Sequence, residues 1–206
     1  MQNLHTARLG IFGVLLFVVT TIVAGILIPG YSHTSQLISE SYAIGTAYGP
    51  YLRFLGYLPS GLCIAAFAYY AVKALPKSGL ATFGFAAFGI FYGLATVVVS
   101  IFPCDAGCDN SLVPPSISQL IHNLSGFLTY MIVPLSLILL GVAARRWPNG
   151  KTLSTLGIVC GITAMLFVGI FTANLHSGFA GLYQRIIEGS ILLWVLACSL
   201  YFKKKL

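Results

Sequence analysis

Residues 9–29 read LGIFGVLLFVVTTIVAGILIP, 21 positions without a charge. At 1.5 Å of rise per residue, a helix of this length crosses the roughly 30 Å hydrocarbon core of a bilayer. The run is long for a signal-peptide core and lacks a small-residue cleavage site at its end. It is therefore expected to stay as a first transmembrane helix. Five further apolar runs follow, at about 51–74, 80–102, 119–143, 152–173 and 181–202, none with Lys or Asp near its centre. Backbone groups in lipid must bond within their own segment, which makes such runs helices.

Composition points the same way. Of 206 residues, 58% are hydrophobic and only 7% charged, where soluble domains carry about a quarter charged. Six spans and short connections use up the chain, leaving no room for a soluble domain. The expected fold is an all-α membrane protein: one integral membrane domain, 1–206, with six transmembrane helices paired as three helical hairpins.

The basic residues set the expected orientation. Arg8, Lys73, Lys77, Arg145, Arg146, Lys151, Lys203, Lys204 and Lys205 all fall at one end of the bundle; Arg53 and Arg185 are the exceptions. The positive-inside rule places that end, with both termini, in the cytoplasm, and the expected location is the plasma membrane. The formal charge of +7 thus orients the chain. No stacking platform or basic stripe marks a nucleic-acid surface, and the expected partners are membrane lipids. Gly89 with Gly93, and Gly157 with Gly161, are small-residue pairs four apart. They serve close helix packing inside the chain or a homo-oligomer interface.

The other end carries all four acidic residues, Glu40, Asp105, Asp109 and Glu188, together with His33, His122 and His176. Ionisable groups at membrane depth usually face the bundle interior or a water-filled cavity. We therefore nominate Asp105, His122, His176 and Glu188 as candidate catalytic groups, and Arg185, Glu40 and Asn123 as candidate ligand-binding groups. Buried Arg185 needs a partner, for which Glu188 or Asp105 is the expected choice. The imidazoles and carboxylates are also ligand types for a divalent metal such as zinc, assembled from separate helices because no His-x-x-x-His spacing occurs.

Two patterns lie within this end. Gln36-x-Ile38-x-Glu40, Gln119-x-Ile121-x-Asn123 and Gln184-x-Ile186-x-Glu188 form a faint repeat. On a helix it sets Gln and its partner on one face. The string Phe102-Pro103-Cys104-Asp105-Ala106-Gly107-Cys108-Asp109 spaces two cysteines four apart. A small disulfide ring across the turn fits this spacing; free thiols and a partial metal site are the alternatives. Cys63, Cys160 and Cys198 read as packing residues.

Taken with Tyr31-Ser32, Ser39-Glu40, His122 and Gly181-Leu182-Tyr183-Gln184-Arg185, the Phe-Pro-Cys-Asp-x-Gly-Cys string resembles the domain of unknown function 998 family over nearly the whole chain. That pattern has Pro where this chain has Ala106. The resemblance implies a six-helix prokaryotic membrane protein and assigns no activity.

Three functions are expected to compete. One is a lipid- or headgroup-modifying hydrolase or transferase, with the carboxylates and histidines in acid–base or metal-ligand roles and Arg185 holding an anionic group. The second is a non-catalytic binder or transporter of lipid or small molecules. The third is a structural membrane protein. The basic-end halves of the helices lack ionisable groups, which counts against proton-coupled transport.

The orientation is testable in intact cells, in a background free of native cysteines. Lys77→Cys and Lys151→Cys should resist an impermeant thiol reagent, whereas Asn110→Cys and Ser177→Cys should react. The opposite labelling would reverse the assignment of the two ends.

Overall fold

The computed structural model describes residues 2–108 and 114–204. Asp109 and Asn110, assigned above to the acidic end, and Lys205 lie outside the described residues. Six helices are long and apolar enough to cross a membrane: α1 (Asn3–Leu27), α2 (Gly49–Ala74), α3 (Gly79–Ile101), α4 (Ile117–Ala144), α5 (Lys151–Ala173) and α6 (Ala180–Lys203). No strand occurs among the described residues. Five helices match the expected limits to within two residues at each end. α1 starts earlier, because the turn holding Thr6 and Ala7 is buried and packs with the bundle.

Consecutive helices pack side by side, and α6 returns to α1, so the six form a closed ring. Large apolar side chains such as Phe12, Leu15, Ile22, Leu166 and Leu193 are exposed on its outside. A soluble monomer rarely shows so much contiguous apolar surface; lipid is the matching solvent, and the chain has the architecture of a multi-pass membrane protein.

The interior is not uniform. Toward the basic end it is filled by Phe67, Phe85, Trp194 and Phe202, all buried, with Phe85 stacked on Trp147 at 6.3 Å between centroids. Toward the acidic end the helices change pitch. α2 opens into a π-helical turn at Leu52–Tyr57 and α3 at Gly89–Leu94. Pro59 explains the first: it has no N–H to give Leu55 and its ring crowds that carbonyl, so the turn before it widens. In the second, the carbonyl of Phe91 accepts from the Thr129 hydroxyl of α4 at 2.7 Å. Such turns are often found at functional sites.

Both glycine pairs pack inside the chain. A Cβ on Gly93 would sit 2.6 Å from the backbone nitrogen of Ala65 in α2, and one on Gly161 would sit 2.7 Å from the carbonyl of Pro134 in α4. Gly189, by contrast, is exposed on α6 with nothing within 4 Å of the added atom. Gly93→Leu should therefore lose about 1–3 kcal/mol, as overpacking does. Gly189→Leu should be neutral or stabilising, since Gly weakens a helix interior. Unfolding in detergent, followed by circular dichroism, would measure both.

Candidate functional site

The connection between α1 and α2 folds back over the acidic end, and α6 holds it there. Residues at the N-terminus of α6 have free backbone N–H groups, and Leu182 N–H donates to Thr34 O at 2.8 Å. One turn on, Arg185 Nη1 donates to Gln36 O at 2.8 Å and to Gly181 O at 3.0 Å, while Nη2 donates to the Tyr31 hydroxyl at 2.8 Å. Gly181 is required at this contact, because a Cβ would collide with the carbonyl of Gln36. The Arg185 guanidinium therefore meets neither Glu188 nor Asp105, contrary to expectation. It turns back toward its own helix start, where backbone carbonyls supply the negative charge density.

The Gln repeat becomes three clips. Gln36 Nε2 donates to Glu40 at 3.1 Å, and Gln119 Nε2 donates to Asn123 at 3.2 Å. Gln184 Nε2 instead donates to the Tyr130 hydroxyl at 3.0 Å, and Tyr130 passes its own proton to Glu188 Oε1 at 3.1 Å. Each Gln oxygen takes a backbone N–H: Ser32 for Gln36, Asp105 for Gln119, and Ile38 for Gln184. The last joins elements far apart in the chain.

The Cys104–Cys108 pair is disulfide-bonded, with Cα atoms 5.0 Å apart. The turn it closes is stitched to α4. Asp105 Oδ2 accepts from Ser116 N–H at 3.0 Å, and hydrogen bonding from Ser116 holds the Asp105 carboxyl below the usual carboxylate range. His122 Nδ1 lies 3.1 Å from Phe102 O. A carbonyl only accepts, so Nδ1 carries the proton and Nε2 the lone pair.

Beneath this cap lies a pocket of about 110 Å³. Its lining includes Phe17, Tyr42, Tyr57, Tyr92, Tyr130, His122 and Glu188. Tyr57 and Tyr92 stand in the two π-helical turns. Glu188 is 8% exposed. Its Oε2 accepts from the Tyr92 hydroxyl at 2.7 Å, as its Oε1 does from Tyr130. A second, wider space of about 790 Å³ opens between α4 and α5. Its apolar walls include Phe127, Met131, Val168 and Phe171, and its polar rim includes Glu40, His122, Asn123 and His176. Ser39, His122, Gly126 and Tyr130 line both spaces.

His122 therefore shares the pocket with Glu188 and the groove with His176, Glu40 and Asn123. Asp105 and Arg185 line neither space; they fasten the cap. Among the described residues no three His, Cys, Asp or Glu side chains come together as a metal-binding group. Sequence reasoning missed the phenols of Tyr42, Tyr57, Tyr92 and Tyr130, and the opening at Gly126. A signal did exist for three of them: a phenol inside an apolar span needs a hydrogen-bond partner when buried.

The family profile described as "Protein of unknown function (DUF998)" matches residues 11–201, and the chain belongs to that family. No curated protein and no solved structure matches it.

The cap contains a pH-sensitive contact. His33 stacks edge-on to Tyr31 at 5.3 Å and lies over Gly25, where any side chain would strike its ring. Burial, then the Arg185 charge, lowers its pKa below 6.5. A lowered imidazole pKa means that the unfolded chain binds the proton more tightly. The contact's stability is thus fully present above the folded and unfolded values and is lost as pH falls through and below 6.5. The melting temperature in detergent should drop across that window, and His33→Gln should flatten the drop. An unchanged pH profile in His33→Gln would show that other groups cause it.

Proposed function

We propose that the protein binds an amphiphile from the outer half of the prokaryotic plasma membrane. The tail lies in the groove between α4 and α5, and the head passes inward to the pocket at Glu188. The observation that carries this reading is the shared doorway. Four residues line both spaces, so one elongated ligand reaches from an apolar groove to a buried polar end. A space of about 790 Å³ falls within the roughly 300–1,000 Å³ of small-molecule sites. The groove wall faces the membrane side: Phe127 is 61% and Met131 53% exposed, which gives lateral entry from lipid. The orientation rests on the positive-inside argument.

Gly126 supports the same reading. It lies within α4, where glycine weakens a helix by about 0.5–1 kcal/mol relative to alanine. No neighbour demands it, because an added Cβ meets nothing within 4 Å. Its missing side chain leaves the doorway open.

A second reading, a hydrolase or transferase acting on such an amphiphile, draws on one feature. His122 presents an Nε2 lone pair on a ring that lines the doorway, the form a general base requires.

A lipid with a photoreactive tail, in nanodiscs, tests the binding. It should label peptides containing Phe127–Met131 and Val168–Leu175. Gly126→Phe should cut labelling about tenfold, a factor equal to 1.4 kcal/mol. Gly189→Phe adds the same bulk on another helix, α6, and should leave labelling intact. Equal labelling in wild type and Gly126→Phe would overturn the proposal. Conversion of the lipid to a product, lost in His122→Ala while labelling persists, would establish the enzyme reading.

A further inference from the structure

We propose that the pocket at Glu188 recognises a small organic ammonium group, the cationic head of the amphiphile. This rests on the reading of groove and pocket as one site.

The first observation is a carboxyl group with no counter-cation bonded to it among the described residues. Both Glu188 oxygens accept hydrogen bonds from phenols. Tyr130 already accepts from Gln184 Nε2, so its one proton goes to Glu188. The basic residue nearest in sequence, Arg185, directs Nη1 to Gln36 O and Gly181 O and Nη2 to the Tyr31 hydroxyl, and its buried Nε meets no hydrogen-bond partner, Glu188 included. Arg53 donates to Gly49 O and lies over Phe54. An isolated buried charge is strongly unfavourable unless a partner compensates it. A proton on Glu188 removes that charge in the ligand-free pocket; a cationic ligand compensates it in the bound one.

The second observation is the wall. His122, Tyr42, Tyr57, Phe17 and Tyr92 follow one another in ring contact. Their centroids are 6.1 Å apart for Tyr42 and His122, 4.9 Å for Tyr42 and Tyr57, 5.2 Å for Phe17 and Tyr57, and 6.4 Å for Phe17 and Tyr92. Aromatic faces attract cations, and cages of them bind methylated ammonium groups. Hydroxyls are tied off locally: Thr21 gives its proton to Phe17 O at 2.9 Å, so Tyr57 donates to Thr21 at 3.2 Å. Such ties hold the rings in place.

The alternatives fit less well. An anionic head would meet Glu188 and be repelled. A divalent ion needs several oxygen ligands, and the described residues gather no three His, Cys, Asp or Glu side chains. A neutral head would gain nothing from the Glu188 charge. The volume of about 110 Å³ corresponds to about three or four waters, which admits an ammonium with a few carbons and excludes a sugar.

Tail-less probes separate the head from the tail. Tetramethylammonium and its neutral analogue tert-butanol would be titrated against the full chain in maltoside, with binding read by saturation-transfer NMR. Tetramethylammonium should bind and tert-butanol should not. Glu188→Gln keeps a hydrogen-bonding side chain but removes the charge, and should weaken tetramethylammonium about tenfold or more. Tyr42→Leu keeps Glu188 and removes one ring; it should also weaken the cation, and it stands in if Glu188→Gln fails to fold. Indistinguishable binding of the two probes, or unchanged affinity in both variants, would overturn the inference. In that case persistent tail labelling of the groove would leave the amphiphile reading standing. Charge-dependent binding of tetramethylammonium without any groove labelling would instead remove the amphiphile reading and keep this one.

Discussion

A carboxylate deep in an apolar helix bundle constrains everything around it. Glu188 has two oxygens to satisfy, and water is excluded from most of its surroundings. Tyr92 and Tyr130 supply two hydrogen bonds, each worth about 1.5–3 kcal/mol when the acceptor is charged. To bring Tyr92 inward, α3 departs from regular α-helical pitch at Gly89–Leu94. To keep Tyr130 aimed at Glu188, Gln184 must donate to it. Gln184 then has one oxygen left, and that oxygen takes the Ile38 N–H of the cap. A single buried acid thus propagates through a pitch change, a glutamine and the docking of a connection from the far side of the sequence.

The cap answers a different requirement. Connections at a bundle end carry backbone groups that water satisfies only in part. Gln36, Gln119 and Gln184 each offer an acceptor and a donor on one rigid amide, and all three use both. Arg185 adds a planar fork suited to several oxygens at once. The disulfide closes residues 104–108 of the α3–α4 connection into a tight turn. A ring this small gains little from loop entropy; it fixes the shape of the turn that gives Phe102 O to His122 and Asp105 N–H to Gln119.

The six spans were legible because lipid demands long uninterrupted apolar runs, a signal that survives without any knowledge of packing. The Cys-x-x-x-Cys turn and the Gln36–Glu40 and Gln119–Asn123 pairs were legible because they are local; the third copy failed because Gln184 reaches Tyr130 on another helix. Arg185 was misjudged because two of its three partners are the backbone carbonyls of Gln36 and Gly181, which have no residue type to read, and the third is the Tyr31 phenol. The tyrosines went unread because a phenol within a span looks like an apolar ring until its direction is known. That direction depends on the π-helical turns: one inserted residue rotates everything after it by about 100°, the angle per residue of a helix with 3.6 residues per turn. Pro59 and the Gly89–Gly93 pair mark those turns only in hindsight, since each has an ordinary reading as a span start or a packing pair.

The uneven filling of the ring separates structure from function. If polar groups at the acidic end served only to tie loops, the bundle could close there as it does around Phe67, Phe85 and Trp194. Protein interiors pack to crystal-like density, and voids forfeit dispersion contacts. Here the space is kept open by two devices with opposite costs. Gly126 gives up helix stability with no neighbour that requires it, and four tyrosines stand around a carboxylate that a leucine would replace at lower cost. Asp105 and Arg185 fasten the cap through their hydrogen bonds and line neither space. Glu188, His122 and Gly126 line the pocket or the groove instead, and the proposed amphiphile would be the partner of all three.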